Sequence, residues 1–269
     1  MRFEKGYFNV GYLDSLSYGE SFLHRLDARV KILVSLVFIV CVVSFPKYAV
    51  PQLLTFSFYP VFLFVAADIP LRPILARVAL LSPFIVMIGV VNPLVDREVI
   101  LRVGGVGVAG GWVSFASILI KFALTTSTAF LLIATTSFVG ICEGLGRLRV
   151  PDVFVCQLLF LYRYLFVLLE EAFRMMRARE ARSFGKRGYE VRPFISLVSV
   201  LLVRTVGKAE RIYGAMVARG FSGRMSFRRT GRLRVGDVVF LAGMAAVLIV
   251  LRYVDLPEAL GSLFAGVGA

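Results

Sequence analysis

Five uncharged, mainly apolar runs recur along the chain, at residues 32–46, 48–67, 78–95, 122–142 and 238–251. A helix needs roughly 17–25 apolar residues to cross a bilayer. The pattern therefore predicts an all-α integral membrane protein with about five transmembrane helices. The last run is short, so its flanking residues must help it reach the membrane interface.

Three other segments are apolar but less regular. Residues 103–120 contain five glycines, which favours a flexible loop leading into the fourth span. Residues 153–162 and 193–203 are too short to cross a membrane and are flanked by arginines, so we expect interfacial or buried helices there. The tail after Glu258 is small and apolar, and we do not count it as a span.

Composition and charge place these helices in a membrane with a defined orientation. With 58% hydrophobic and 18% charged residues, the chain is too apolar for a disordered or ordinary soluble protein. In a soluble chain, the net charge of +14 would suggest binding to nucleic acid, but in so apolar a chain it does not. Of the 31 basic residues, 26 lie before the first span, between the second and third spans, or in residues 143–236. Since positive loops stay inside, these segments are predicted to be cytoplasmic.

Two long helices are predicted within 143–236. The first runs from about Val153 to Arg182, and its expected apolar face carries Leu161, Leu165, Leu168 and Ala172. The second has one stripe of Val206, Ala209, Tyr213 and Met216, and another face with Arg204, Lys208 and Arg211. Gly220 is expected to end the second helix in a left-handed conformation, which leaves Arg219 at the helix terminus.

Both helices end alike, in Ala181-Arg182-Ser183 and in Ala218-Arg219-Gly220. A planar guanidinium with five donors suits a partner groove lined by carboxylates and carbonyls. Arginine at a helix C-terminus also complements the helix dipole, and basic segments near a membrane contact anionic lipid, so these alternatives stay open. We assign the clusters Arg228-Arg229 and Arg232-Arg234 mainly to membrane lipid.

These features together resemble the transmembrane (T) component of energy-coupling factor transporters, in its cobalt-type CbiQ branch. The resemblance rests on the amphipathic lead-in 21–31, the apolar spans, Asn92-Pro93-Leu94, Tyr162-Arg163-Tyr164 and the two Ala-Arg-Gly-like motifs. It implies a prokaryotic plasma-membrane scaffold that joins two cytoplasmic ATP-binding subunits to a membrane subunit that captures the substrate. The implied layout is a cytoplasmic lead-in (1–31), helices 1–4 (32–142), a cytoplasmic coupling domain (143–236), and helix 5 with the tail (237–269).

The resemblance also implies roles for the motif residues. Arg182 and Arg219 would dock the ATP-binding subunits, while Ala181, Ala218 and Gly220 would allow close approach. Ser183 departs from the motif, where glycine is usual, and Ala178-Arg179-Glu180 offers a competing register that matches less well.

Motifs for catalysis or for a resident cofactor are absent from the sequence. No GxxxxGK[ST] loop occurs, so we expect a non-catalytic subunit with ATP hydrolysis on its partners. No paired metal ligands occur, and His24 and Asp68 fit an interfacial histidine and a loop acid. Lys121 is expected to snorkel to the interface. A secondary transporter, channel or membrane enzyme is weakened because the spans lack charge and paired acid and base groups. Cobalt, nickel and a vitamin remain open as substrates.

Overall fold

The computed structural model describes residues 17, 19, 21–96, 99–103, 106–182, 191–221, 223 and 233–253. The chain divides into two compact units. The first unit comprises Phe8–Gly144 and Gly231–Ala269, and the second comprises Met1–Tyr7 and Leu145–Thr230.

The described elements are almost all helical. In chain order they are α1 (Phe22–Arg25), α2 (Ala28–Val43), α3 (Val50–Thr55), α4 (Phe58–Ala67), α5 (Leu71–Gly89), α6 (Val91–Val95), β1 (Val99–Val103), β2 (Val106–Ala109), α7 (Gly110–Thr135), α8 (Phe138–Arg147), α9 (Asp152–Arg182), α10 (Val191–Ala218) and α11 (Val235–Tyr253).

Five helical segments within the described residues are long and apolar enough to cross a membrane: Val50–Ala67, Leu71–Pro93, Gly110–Thr135, Asp152–Arg182 and Val235–Tyr253. The predicted class, a helical integral membrane protein with about five such helices, is confirmed, and four predicted spans coincide with four of these segments. The remaining span, 32–46, lies in α2, whose 16 residues extend only about 24 Å.

The fifth membrane-length helix is α9, which confirms the predicted helix from about Val153 to Arg182. Residues 153–162, which alone are too short to cross a membrane, form the start of this 31-residue helix. The apolar pattern continues past Arg163, and a single arginine within several turns does not end a helix. Likewise, 193–203 is the beginning of the 28-residue helix α10.

In the described part of the glycine-rich segment, residues 106–109 form a strand and 110–120 lie in α7, which corrects the prediction of a flexible loop over 103–120. β1 and β2 pair antiparallel, with Val103 opposite Val106, and α7 already begins at Gly110. Alternating valines favour the paired strands. Gly111 serves close packing, since a Cβ there would lie 2.5 Å from the Pro93 Cα and 2.7 Å from the Asp96 carbonyl oxygen.

Helix α7 is the centre of the first unit, where it packs against α2 and against α3 to α6. Beside it, α2 and the α3–α4 region bury an aromatic cluster. The Phe38 ring stacks on Tyr59 at 4.4 Å between centroids, and Phe56 meets the edge of Phe45 at 5.0 Å. Phe38 and Phe56 are fully buried, so these rings fix how α2 lies against α3 and α4.

Helix α5 contains Pro83, which has no N–H to donate to the carbonyl of Ala79. The Ser82 hydroxyl donates to that same carbonyl oxygen at 2.8 Å. The Ala79 carbonyl oxygen, which Pro83 would otherwise leave without a hydrogen-bond donor in lipid, is therefore paired within the helix.

Two lysines join α2 and α7 at opposite ends. Lys31 Nζ, at the start of α2, donates to the carbonyl oxygen of Thr135 at the end of α7 (2.8 Å), and this side chain is only 7% exposed. Lys121 Nζ, within α7, donates to the carbonyl oxygen of Phe45 just after α2 (2.6 Å). The last carbonyls of a helix lack intrahelical donors, and each lysine supplies one. Lys121, predicted to open a span, instead lies within α7 and reaches the backbone just beyond the end of α2.

A buried carboxylate links the starts of α2 and α11. Asp237, 3% exposed, accepts hydrogen bonds from the backbone amides of Asp27 (3.0 Å) and Arg234 (2.8 Å). Lys31 lies within electrostatic range of both Asp27 and Asp237. These charged groups lie just outside the predicted spans 32–46 and 238–251, where they bind backbone amides and carbonyls at the helix ends.

Candidate docking site on the two long helices

The candidate site lies in the second unit, on α9 and α10. Helix α9 starts after Pro151 with Asp152 in its first turn, a position where a carboxylate complements the helix dipole. It ends at Arg182, as predicted. The segment 183–190 that follows lies outside the described residues, and with it the predicted site residue Ser183.

Helix α10 ends in a Schellman motif. The amide of Phe221 donates to the carbonyl of Met216 (3.0 Å) and the amide of Gly220 to that of Val217 (2.9 Å). Gly220 has φ +81°, where a side chain would be strained, so the prediction that this glycine ends the helix is confirmed. Arg219 is the residue between the last helical position and this turn, and its side chain is exposed.

The two helices run in opposite directions. Phe160, near the start of α9, lies against Phe221 beyond the end of α10, with ring centroids 6.3 Å apart. Farther along α9, Glu171 Oε1 accepts a hydrogen bond from Arg204 Nη1 at 2.8 Å, in the middle of α10. Both charged side chains reach solvent, so this ion pair aligns the helices more than it stabilises them.

The antiparallel arrangement separates the two predicted docking arginines. Arg182 lies 22 residues beyond Phe160, which is about 33 Å along α9. Arg219 lies next to the turn that brings Phe221 to Phe160. The structure therefore does not bring Arg182 and Arg219 into one site. It places one exposed arginine at each end of the helix pair, with Ala181 and Ala218 exposed beside them.

The faces that pack differ in part from those predicted. A groove of about 440 Å³ lies between α9 and α10. On α10, Ala209, Tyr213 and Met216 line it as expected for one stripe, but Lys208, which was assigned to another face, lines it too. On α9, Leu168 lines the groove, whereas Leu161 is 56% exposed and points elsewhere. The lining of α9 comes instead from Val153, Cys156, Gln157, Phe160, Tyr164, Val167 and Leu168.

The sequence argument missed two residues of this region, Phe221 and Lys208. An apolar residue directly after a helix-ending glycine is a known companion of the Schellman motif, so Phe221 could have been found from the sequence. Lys208 could not, because a cation in a stripe of charged residues gives no sign that it borders a groove. The lipid-assigned arginines Arg228, Arg229 and Arg232 lie outside the described residues, and Arg234 is exposed.

The described side chains at this site suit binding to the surface of a partner protein. Within the described ranges, no three His, Cys, Asp or Glu side chains come together as a metal ion would need. The groups presented at the two helix ends are guanidinium donors and small side chains, which suit contact with acidic or carbonyl-rich grooves.

Five membrane-length helical segments, one of which is α9, define a multi-pass helical membrane protein. The comparisons with known proteins narrow this class. A model of the family described as cobalt transport protein, CbiQ, matches residues 19–229, and the chain belongs to that family.

Several relatives extend the same likeness. An energy-coupling factor transporter transmembrane protein, EcfT, from Listeria innocua is 29% identical over 252 residues, covering 85% of this chain and 92% of the relative. The cobalt transport protein CbiQ of Rhodobacter capsulatus is 29% identical over 197 residues, covering 72% and 78%. An uncharacterized protein of Methanocaldococcus jannaschii is 26% identical over 229 residues, covering 81% and 78%. The resemblance to the transmembrane component of energy-coupling factor transporters is confirmed, and the chain is a multi-pass transport protein of prokaryotic type.

Proposed function

We propose that this protein is the coupling subunit of an importer of the energy-coupling factor type. It joins two cytoplasmic ATP-binding subunits to a membrane subunit that captures the substrate, and cobalt ion is the substrate. ATP is hydrolysed on the partners, and this chain transmits their movement. The family description and the Rhodobacter relative support cobalt.

The placement of the two exposed arginines supports this function most directly. Arg182 and Arg219 lie at opposite ends of an antiparallel pair of helices, about 30 Å apart. Two contact points at that distance suit two separate subunits better than one. Each arginine is flanked by Ala181 or Ala218, whose small side chains let a partner surface approach the guanidinium.

The same geometry supports a mechanism for coupling. When ATP binding draws the two ATP-binding subunits together, the two ends of the pair are pulled toward each other. Because α9 and α10 are held by Glu171–Arg204 and by the Phe160–Phe221 contact, the force changes the angle between the helices. That change reaches the capture subunit through the apolar faces of the pair.

The proposed layout has the N-terminal segment and residues 143–236 in the cytoplasm, since 26 of the 31 basic residues fall in the segments on that side. Docking residues Ala181, Arg182, Ser183, Ala218, Arg219 and Gly220 then face the compartment that holds ATP. Although α9 is of membrane length, its segment carries 19 basic and seven acidic residues, which favours the cytoplasmic side.

The experiment compares complexes purified through the capture subunit. Variants are Arg182→Glu, Arg219→Glu and the double variant, with Arg211→Glu as the matched control, since Arg211 is also exposed on α10. Truncating one partner of a desolvated charge pair costs about 2–5 kcal/mol, so each single change should weaken retention of an ATP-binding subunit at least about 30-fold.

Uptake of radioactive cobalt in cells should fall in step with retention of the ATP-binding subunits, and the Arg211 variant should behave as wild type. Normal retention and uptake in the double variant would refute docking by these arginines. Normal coupling with uptake of another substrate in place of cobalt would refute only the choice of substrate.

A further inference from the structure

The groove between α9 and α10 is apolar except at one point. Its carbon-rich lining comes from residues such as Phe160, Ile212 and Met216, and its volume of about 440 Å³ lies in the range of small-molecule sites. Of the fifteen residues that line it, Lys208 alone is charged. None of the carboxylates in the described part of the chain pairs with Lys208.

The charge lies toward one end of the groove. Lys208 borders it next to Thr205, while the far end is formed by Met216, Phe221 and Val153. From Lys208 to Met216 the lining extends about 12 Å along α10, with polar atoms of Gln157 and Tyr164 contributed by α9. A ligand that fits has a long apolar part and a negative group at one end.

A membrane lipid with an anionic headgroup has this form. Helix α9, which builds one wall, is apolar enough to lie against the cytoplasmic surface of a bilayer, so the groove is accessible to lipid. The surrounding segment, residues 143–236, carries 19 basic and seven acidic residues, and its field attracts anionic lipid. A zwitterionic lipid of the same length would gain the same apolar contacts, but the cation of its headgroup would offset the attraction between its phosphate and Lys208.

We propose that this groove binds one anionic phospholipid, with an acyl chain along Ala209, Ile212 and Met216 and the headgroup phosphate on the Lys208 ammonium. Occupation by such a lipid fills the space between α9 and α10. It fixes the angle between them, so the composition of the membrane tunes the helix pair.

The test is native mass spectrometry of the purified full-length chain with two lipids of identical acyl chains, phosphatidylglycerol and phosphatidylcholine. The wild type should bind one phosphatidylglycerol about fivefold more tightly, a preference equal to about 1 kcal/mol. Lys208→Gln should remove the preference and Lys208→Arg should retain it. Arg211→Gln, an equal loss of charge outside the groove, should leave the preference unchanged.

A second variant separates the groove from the surrounding membrane surface. Ala209→Phe fills part of the space and should reduce binding of both lipids, with helicity by circular dichroism unchanged. The proposal is overturned if wild type binds the two lipids equally, or if Lys208→Gln and Ala209→Phe both leave phosphatidylglycerol bound.

The proposal would also be overturned by evidence that the groove holds an apolar helix of the capture subunit. In that case Ala209→Phe would release the capture subunit, and phosphatidylglycerol binding would not change. Docking by Arg182 and Arg219 is tested separately, because the lipids are measured on the chain alone.

Discussion

Replacement of Asp237 by alanine tests whether a buried carboxylate holds α2 and α11 together. The side chain is 3% exposed and accepts backbone hydrogen bonds at 2.8 and 3.0 Å, one from its own helix start and one from Asp27 at the start of α2. The alanine variant leaves two partly buried N–H groups without this acceptor. It also removes a negative charge from the neighbourhood of Lys31.

The expected loss follows from these contacts. A hydrogen bond to a charged group contributes about 1.5–3 kcal/mol, and burial of the carboxylate offsets part of the sum, so we expect Asp237→Ala to cost about 3 kcal/mol. At about 2–4 °C per kcal/mol for a unit of this size, the unfolding midpoint should fall by roughly 6–12 °C. Asp237→Asn keeps one acceptor oxygen and should cost about half as much.

The assay is thermal unfolding of the purified protein in one detergent, followed by circular dichroism. Asp68→Asn is the control, because Asp68 is exposed at φ +53°, a conformation that asparagine tolerates. It should stay within about 0.5 kcal/mol of wild type. An Asp237→Ala midpoint equal to that of the wild type would refute the reasoning that this carboxylate joins the two helices.

Three further predictions concern other parts of the first unit and the topology. Gly111→Ala should lower the free energy of unfolding by about 2 kcal/mol, the cost of overpacking, because the new Cβ would meet backbone atoms at 2.5–2.7 Å. Gly243→Ala is the control, since the space around Gly243 is open, and it should not destabilise the protein. Lys121→Met should lower stability by about 1–3 kcal/mol by leaving the Phe45 carbonyl unpaired, and an unchanged midpoint would contradict this. Cysteines introduced at Asp96 and Lys186 should label from outside and inside the cell respectively, and equal external labelling would contradict the topology.

Local features of the sequence were enough for the fold class and the helix ends. The end of α10 follows from Gly220 and its neighbours alone, so it could be predicted. The packed face of α9 could not, because this helix is apolar on several sides and its periodicity does not select one. The contact between Lys31 and Thr135 joins residues 104 positions apart, which no local pattern reveals.

The crossed lysine contacts between α2 and α7 have a consequence for synthesis in the cell. When α2 leaves the ribosome, neither the Lys31 ammonium nor the Phe45 carbonyl has its final partner, because α7 has not yet been made. The Lys121–Phe45 contact can form only after translation has passed Lys121, and the Lys31–Thr135 contact only after it has passed Thr135. The backbone contacts of α2 are therefore completed only by a helix that begins more than 60 residues after α2 ends.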